Sequence, residues 1–170
     1  MCIRDSRYWV AQKGDGREYP PGAGWGNAER QYYLPELARH DGQGNLVISA
    51  SRNGAAQYSC WYGASCEWIS SKYVTQDKLT MKYGRVDIRM KATAVAGTWP
   101  AFWLLGTDFA LNTVRWPKCG ELDVVELLGR EPRTVHGTTH GPLSGGPGRG
   151  GSTLLADDFS KDFHTYRMDW

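Results

Sequence analysis

The sequence predicts an all-β domain in which two sheets pack as a sandwich or jelly roll. Short runs of alternating or apolar residues recur along the chain, and turn residues separate them roughly every ten positions. The 170 residues include 8 Trp, 9 Tyr and 21 Gly. Because aromatic residues favour strands and glycine favours turns, the composition supports the same fold class.

The individual strands follow from apolar alternation and from the turn residues that bound each run. Residues 78–91 alternate most clearly, and the phase changes at Gly84, which is typical of a β-bulge or a bend. The predicted strands are a segment that begins near Gln31 and then residues 45–50, 78–91, 99–105, 121–128, 134–140 and 164–170. The predicted loops are residues 11–30, 58–69, 106–120 and the glycine-rich 141–151.

The charge and hydropathy of the chain exclude several classes of function. The formal net charge is +2 and charged residues make up 22% of the chain, which leaves no strongly basic surface. No run of about 18 apolar residues occurs, so no membrane-spanning segment is predicted. We therefore expect neither nucleic acid nor a membrane as a partner of this domain.

Three carboxylates interrupt an otherwise apolar run at residues 119–129. On a strand, Glu121 and Asp123 share a face, whereas Glu126 turns to the other face unless one bulge intervenes. With that bulge, all three acids face one side. Glycoside hydrolysis uses two flanking carboxylates, one as nucleophile or base and one as acid. Because like charges this close disfavour ionisation, we expect the pKa of one carboxyl to be raised.

The same segment has a plainer interpretation, as an amphipathic helix whose three acids face solvent. Residues 121–128 have sufficient helix propensity, but Pro117, Gly120, Gly129 and Pro132 bracket only a short run and favour the strand. On a strand, the neighbouring acids favour a carboxyl separation of about 5–5.5 Å, which accompanies retention of anomeric configuration.

The motif and its surroundings resemble glycoside hydrolase family 16, in particular the laminarinase-like endo-β-glucanases. Glu121, Asp123 and Glu126 match the bulged Glu-x-Asp-x-x-Glu signature of that family. The resemblance continues, in the order of the family, at residues 24–33, 82–89, 97–106, 116–120, 135–141 and 163–166. It implies a jelly roll of two curved antiparallel sheets, of the concanavalin A type, with the acids on the concave face.

The resemblance also implies a reaction, the retaining endo-hydrolysis of β-1,3-glucans. Glu121 takes the place of the nucleophile, Glu126 that of the general acid/base and Asp123 that of a helper. Two alternatives stay open: another substrate, such as a mixed-linkage glucan, agar, carrageenan or xyloglucan, and a non-catalytic β-glucan-binding protein on the same scaffold. The second alternative predicts the loss of one acid, whereas both glutamates are present.

Six further residues are predicted to contact the substrate, and for His140, Asn27 and Lys72 this is implied by the resemblance alone, with Lys72 at the position of a family arginine. They are Trp99, Trp103, His140, Asn27, Trp116 and Lys72. The two tryptophans of residues 99–105 share strand parity and suit stacking on a sugar ring, with a buried core pair as the structural alternative. Asn27 has the alternative of a turn-forming residue.

No metal site and no cofactor for catalysis are predicted. His136 and His140 are four residues apart, but Gly137 and two threonines between them disfavour the helix on which such a pair binds zinc. Structural calcium is common in the fold that the resemblance implies, and the sequence identifies no ligands for it. Cys60 and Cys66 flank a short loop and could be bridged, while Cys119 is expected to be packed or bridged rather than nucleophilic.

The resemblance covers about residues 24–170 and fits a domain that is truncated at both ends. We therefore expect residues 11–170 to form part of a family 16 catalytic domain. Residues 1–10 stay unassigned and are interpreted as a leader or a foreign sequence. Residues 1–6 lack the apolar segment of a signal peptide. We expect the protein to be a secreted monomer, extracellular or periplasmic, that acts on a polysaccharide.

Overall fold

The structure is a computed structural model that describes residues 7–19, 22–110, 113–143 and 148–170. Strands dominate it, so the all-β class predicted from the sequence is confirmed. The strands are β1 (Val10–Gln12), β2 (Gln31–Tyr33), β3 (Ala38–His40), β4 (Leu46–Ile48), β5 (Trp68–Ser70), β6 (Lys72–Val74), β7 (Arg85–Met90), β8 (Ala101–Leu105), β9 (Glu121–Leu127), β10 (Thr134–His140), β11 (Arg149–Leu154) and β12 (His164–Asp169).

Among the described residues, helical structure is confined to short turns between the strands. They are an irregular turn at Gly24–Ala28, 3-10 turns at Pro35–Leu37 and Ala55–Gln57, and a four-residue helix α1 at Thr107–Ala110. Within the described ranges, no helix has both the length and the apolar character needed to cross a membrane.

The chain divides into two compact units, residues 1–80 and 81–170. The first unit contains the antiparallel pairs β1–β6 and β3–β4 and the parallel pair β2–β5. Leu34, Ala55 and Ile69 form its small buried core. Cys60 and Cys66 are buried beside it and form a disulfide, as the sequence suggested.

The second unit contains a four-stranded antiparallel sheet in the order β11-β10-β9-β8 and the antiparallel pair β12–β7. Val125 and Leu127 on β9 are fully buried and pack with Phe159 and with Tyr166 of β12. One face of β9 therefore belongs to the core. The side chains on the opposite face of this central strand do not belong to that core.

Two boundaries predicted from the sequence are wrong. The strand predicted at residues 78–91 begins only at Arg85, because Tyr83 and Gly84 have φ values of 64° and 115° and interrupt the extended chain. The loop predicted at 141–151 ends earlier, since β11 starts at Arg149 and Gly151 pairs with Gly137. There the glycines bring two strands together rather than marking a turn.

Other differences concern very short elements. Three-residue strands span little more than one alternation, so β1, β3, β5 and β6 carry almost no periodic signal. The predicted loops at 11–30, 58–69 and 106–120 consequently contain the end of β1, the start of β5 and α1. The strands predicted near Gln31 and at 45–50, 99–105, 121–128, 134–140 and 164–170 are confirmed within two residues at each boundary.

Candidate active site

The three carboxylates lie on β9, and the predicted bulge is present between them. Asp123 pairs with Thr138 of β10, and Glu126 pairs with His136, so three steps along β9 match two along β10. The pairing with β8 shifts at the same place. The extra residue restores the parity of Glu126, and all three acids share the face opposite Val125 and Leu127.

Asp123 is the buried member of the acidic group. It is 8% exposed, and its carboxyl is hydrogen-bonded to Glu121. Burial, together with the charges of Glu121 and Glu126, raises its pKa to about 8. Asp123 is therefore protonated over much of the neutral range, so that one proton is held in the middle of the group. The sequence predicted a raised pKa without indicating which acid would carry it.

Each glutamate accepts a hydrogen bond from an indole. Trp116 lies in the turn before β9, and its Nε1–H donates to Glu121 Oε2 at 2.5 Å. Trp99 lies just before β8, and its Nε1–H donates to Glu126 Oε1 at 3.0 Å. Both tryptophans were predicted as substrate contacts, and the structure brings both to the carboxylates. Contact with a substrate stays a prediction for both.

His140 closes the group on the side of β10. Its Nε2 atom lies 3.4 Å from Asp123 Oδ2, and its ring centroid lies 5.3 Å from that of Trp116. Its Nδ1 atom is buried and has no hydrogen-bond partner among the described residues. Trp103 of β8 is the Cα partner of Asp123 on the opposite side of β9. Four of the predicted substrate contacts thus surround the three acids.

Asn27 and Lys72 belong to the first unit. Asn27 is exposed in the irregular turn Gly24–Ala28. The Lys72 ammonium lies 4.8 Å from the ring centroid of Trp25, with Tyr19 and Tyr33 within 6 Å. These aromatic contacts place the lysine beside the turn that carries Asn27, and a substrate contact of either residue stays a prediction.

The sequence argument missed two neighbours of the acids. His136 is the Cα partner of Glu126, and its ring lies 3.3 Å from Glu131 rather than beside His140. Gly148 lies against the His140 ring. The alternation of residues 134–140 could have identified His136 as facing the acids. No sequence signal could have identified Gly148, because its contact with His140 depends on the tertiary fold.

Cys119 is an unbridged thiol beside the acids. Burial raises its pKa, and the charges of Glu121 and Asp108 raise it further. A thiolate is therefore disfavoured at neutral pH, which agrees with the expectation of a packed residue and not a nucleophile. Of the two alternatives that the sequence left open, the bridged one is wrong for this cysteine.

Comparisons with known proteins agree with this geometry. The family model described as "Glycosyl hydrolases family 16" matches residues 36–170. The "Beta-glucanase" of Rhodothermus marinus is 37% identical over 155 residues, which cover 88% of this chain and 51% of that protein. The "Glucan endo-1,3-beta-glucosidase A1" of Niallia circulans is 34% identical over 86% of this chain and 22% of its own length. The chain thus spans about half or less of these relatives.

Solved structures give the same result. The laminarinase catalytic domain of Thermotoga maritima superposes with a TM-score of 0.87 at 38% identity, covering 99% of this chain and 65% of that one. More distant relatives include a "Keratan-sulfate endo-1,4-beta-galactosidase" of Sphingobacterium multivorum, 29% identical over 81% of this chain and 31% of that protein. They also include a "Beta-1,3-glucan-binding protein" of Penaeus monodon, 25% identical over 76% of this chain and 38% of that protein.

These neighbours confirm the jelly-roll class predicted from the sequence. The matched residues 36–170 include the whole acidic strand β9 and both strands beside it. The chain belongs to family 16 of the glycosyl hydrolases.

Proposed function

We propose that this chain carries the catalytic strand of a retaining endo-1,3-β-glucanase. The observation that carries the proposal is the arrangement of Glu121, Asp123 and Glu126 on one face of a bulged strand, with the proton-holding Asp123 between the glutamates. The names of the Niallia relative and of the Thermotoga laminarinase support β-1,3-glucan as the substrate, and the name of the Rhodothermus relative supports a β-glucan.

The proposed reaction is a double displacement. Glu121 attacks the anomeric carbon, the glycosidic C–O bond breaks, and the leaving oxygen takes a proton from Glu126. Water then attacks the same carbon and gives a proton to Glu126, which releases Glu121. Asp123 holds a proton next to Glu121, which limits the repulsion between three neighbouring carboxyls. Water is the only co-reactant, so no cofactor is needed.

The substrate is proposed to lie across the acids, in contact with Trp99, Trp103, Trp116 and His140. The indole and imidazole rings offer flat apolar faces of the kind that pack on pyranose rings. The Cys60–Cys66 disulfide supports an oxidising location, since such bridges persist outside the cytosol. We therefore propose a secreted protein, extracellular or periplasmic, that acts as a monomer.

A panel of polysaccharides tests the proposal. The purified protein is incubated with laminarin, mixed-linkage glucan, agarose, κ-carrageenan and xyloglucan, and the products are sized and their anomers followed by NMR. We expect laminari-oligosaccharides of mixed length with retained configuration, and loss of activity in Glu121→Gln and in Glu126→Gln. Asp157→Asn, an exposed substitution, is the matched control. Activity that survives in Glu121→Gln contradicts the nucleophile, and inverted product contradicts the double displacement.

Two relatives define the alternatives that the panel separates. The name of the Sphingobacterium protein favours a galactosidic bond as the target, which in this panel would appear as cleavage of agarose or κ-carrageenan with laminarin intact. The name of the Penaeus protein favours binding without hydrolysis, which would appear as retention on insoluble β-1,3-glucan without released sugars. The presence of both glutamates favours hydrolysis.

A further inference from the structure

The two glutamates accept indole hydrogen bonds in the same way. One oxygen of each carboxylate accepts an N–H, and the two donors come from separate segments, the turn before β9 for Trp116 and the approach to β8 for Trp99. An indole N–H donates only and does not ionise, so the oxygen that accepts it is occupied at every pH of interest.

We propose that Trp116 and Trp99 are positioning residues that fix which oxygen of each glutamate reacts. The inference rests on the proposed function of Glu121 and Glu126. Trp116 donates to Glu121 Oε2, so we assign the attack on the anomeric carbon to Oε1. Trp99 occupies Glu126 Oε1 and leaves Oε2 to carry the transferred proton. A carboxylate held by one oxygen presents the other in a fixed direction, which favours a reactive geometry.

The assignment specifies the atoms of the proposed reaction. Glu121 Oε1 forms a bond to the anomeric carbon while the glycosidic bond breaks and its electron pair stays on the leaving oxygen. That oxygen takes the proton of Glu126 Oε2. In the second step a water oxygen bonds to the anomeric carbon, its proton passes to Glu126 Oε2, and the bond to Glu121 Oε1 breaks with its electron pair returning to the carboxylate.

The two donors differ in their surroundings. Trp116 is half-buried and lies against the His140 ring at 5.3 Å, whereas the Trp99 residue is 49% exposed. A hydrogen bond to a charged group is stronger where water is excluded. The loss of the Trp116 donor should therefore reduce turnover more than the loss of the Trp99 donor.

The substrate contact proposed above for these tryptophans uses the flat face of each ring, whereas positioning of the glutamates uses the N–H. The isostere 3-benzothienylalanine separates the two roles, because it keeps the shape and the aromatic face and replaces the N–H by sulfur. 5-Fluorotryptophan at the same position keeps the N–H and is the matched control. The isostere at Trp170, which packs on Tyr83, controls for the substitution itself.

We expect the isostere at Trp116 to lower kcat on laminarin by about 10- to 100-fold, the equivalent of one charge-assisted hydrogen bond, with KM within about threefold. At Trp99 the expected loss of kcat is smaller, about 3- to 10-fold. 5-Fluorotryptophan at either position and the isostere at Trp170 should keep kcat within about twofold. An unchanged kcat with a raised KM at both positions indicates stacking and overturns the proposal.

A measurement without substrate keeps the inference separate from the proposed function. In protein labelled with ¹⁵N-tryptophan, the indole resonance of Trp116 should respond to Glu121→Gln, and that of Trp99 should respond to Glu126→Gln. The resonance of Trp116 should not respond to Glu126→Gln, and that of Trp99 should not respond to Glu121→Gln. If neither resonance follows its glutamate, the positioning role is wrong even if laminarin is cleaved. If both follow and no polysaccharide is cleaved, the proposed function fails while the contacts stand.

Discussion

Gly148 lies directly against the imidazole of His140. A Cβ atom built at position 148 would be 2.6 Å from His140 Nδ1 and 2.9 Å from Thr138 Cγ2. The residue also has a φ of 76°, a conformation that side chains other than glycine seldom adopt. The glycine therefore defines the space in which His140 approaches Asp123 at 3.4 Å.

Gly148→Ala should displace His140 and lower activity. The methyl group cannot be accommodated without movement of the imidazole or of the β10–β11 connection, and the positive φ adds about 1 kcal/mol of strain. We expect kcat/KM on laminarin to fall about tenfold or more, in line with the sensitivity of catalysis to small displacements.

Gly151→Ala in β11, the strand that follows Gly148, is the control, because a Cβ there meets nothing within 4 Å and its φ is not positive. It should change kcat/KM by less than about twofold. Equal losses in the two variants would show that the effect comes from β11 as a whole and not from His140.

The protonation of Asp123 should appear in the pH dependence of stability. The pKa of its carboxyl is about 8 in the folded state against 3.8 as the ordinary value. A group with a raised pKa contributes stability that is fully present below the unfolded value and is lost as the pH rises through the folded value. The stability that the protonated Asp123 contributes is therefore lost between about pH 4 and pH 8.

Asp123→Asn removes this dependence while it keeps the size of the side chain. Between pH 4 and pH 8 we expect the free energy of unfolding of the variant to rise relative to the parent by roughly 2 kcal/mol or more. Urea unfolding at several pH values measures it. Asp157→Asn, which changes an exposed partner of Lys161, should show no such trend. A difference that stays constant or shrinks as the pH rises would mean that the pKa of Asp123 is not raised in the folded protein.

The acidic strand shows which features a sequence can reveal. The positions of Glu121, Asp123 and Glu126, together with alternation, required a bulge, and the pairing of β9 with β8 and β10 contains it. Bulge, strand and face are local consequences of side-chain parity, so they can be derived without knowledge of the remaining chain.

Features that depend on contacts between distant segments could not be predicted in this way. The indole of Trp99 reaches Glu126 across 27 positions of the sequence, and Gly148, just before β11, meets His140 at the end of β10. The strand that begins at Arg149 was hidden because its glycines have turn propensity, although Gly150 is needed there, since a Cβ atom on it would lie 2.4 Å from Gly137 O of β10. Such arrangements depend on the tertiary fold, and alternation carries no information about them.

The Cys60–Cys66 disulfide should stabilise the first unit. Both residues are at most 3% exposed and the bridge closes a loop with a separation of 6 residues. By the loop-entropy relation, Cys60→Ala with Cys66→Ala should lower the free energy of unfolding by about 2 kcal/mol. Thermal unfolding with and without a reductant measures the effect. The reductant should destabilise the parent and a Cys119→Ala control equally and should not affect the double variant. An equal response of all three proteins would exclude the bridge as the target of the reductant.

The bulge itself leads to the last prediction. Deletion of one of the adjacent residues Val124 and Val125 gives a Glu-x-Asp-x-Glu strand, in which strict alternation keeps all three acids on one face and an apolar residue in the core. Deletion of both valines instead leaves Glu126 next to Asp123, so alternation turns it towards Phe159 and the other core residues.

We expect the single deletion to reduce kcat/KM by about 10- to 100-fold, because Glu126 is displaced along the strand but still faces the substrate. The double deletion should reduce it by about 10³-fold or more through loss of the acid/base. It should also lower the free energy of unfolding by about 3 kcal/mol, since a carboxylate is buried without a partner. Activity on laminarin and urea unfolding of the two variants measure both effects. If the double deletion is tolerated as well as the single deletion, the parity of β9 does not determine where Glu126 points.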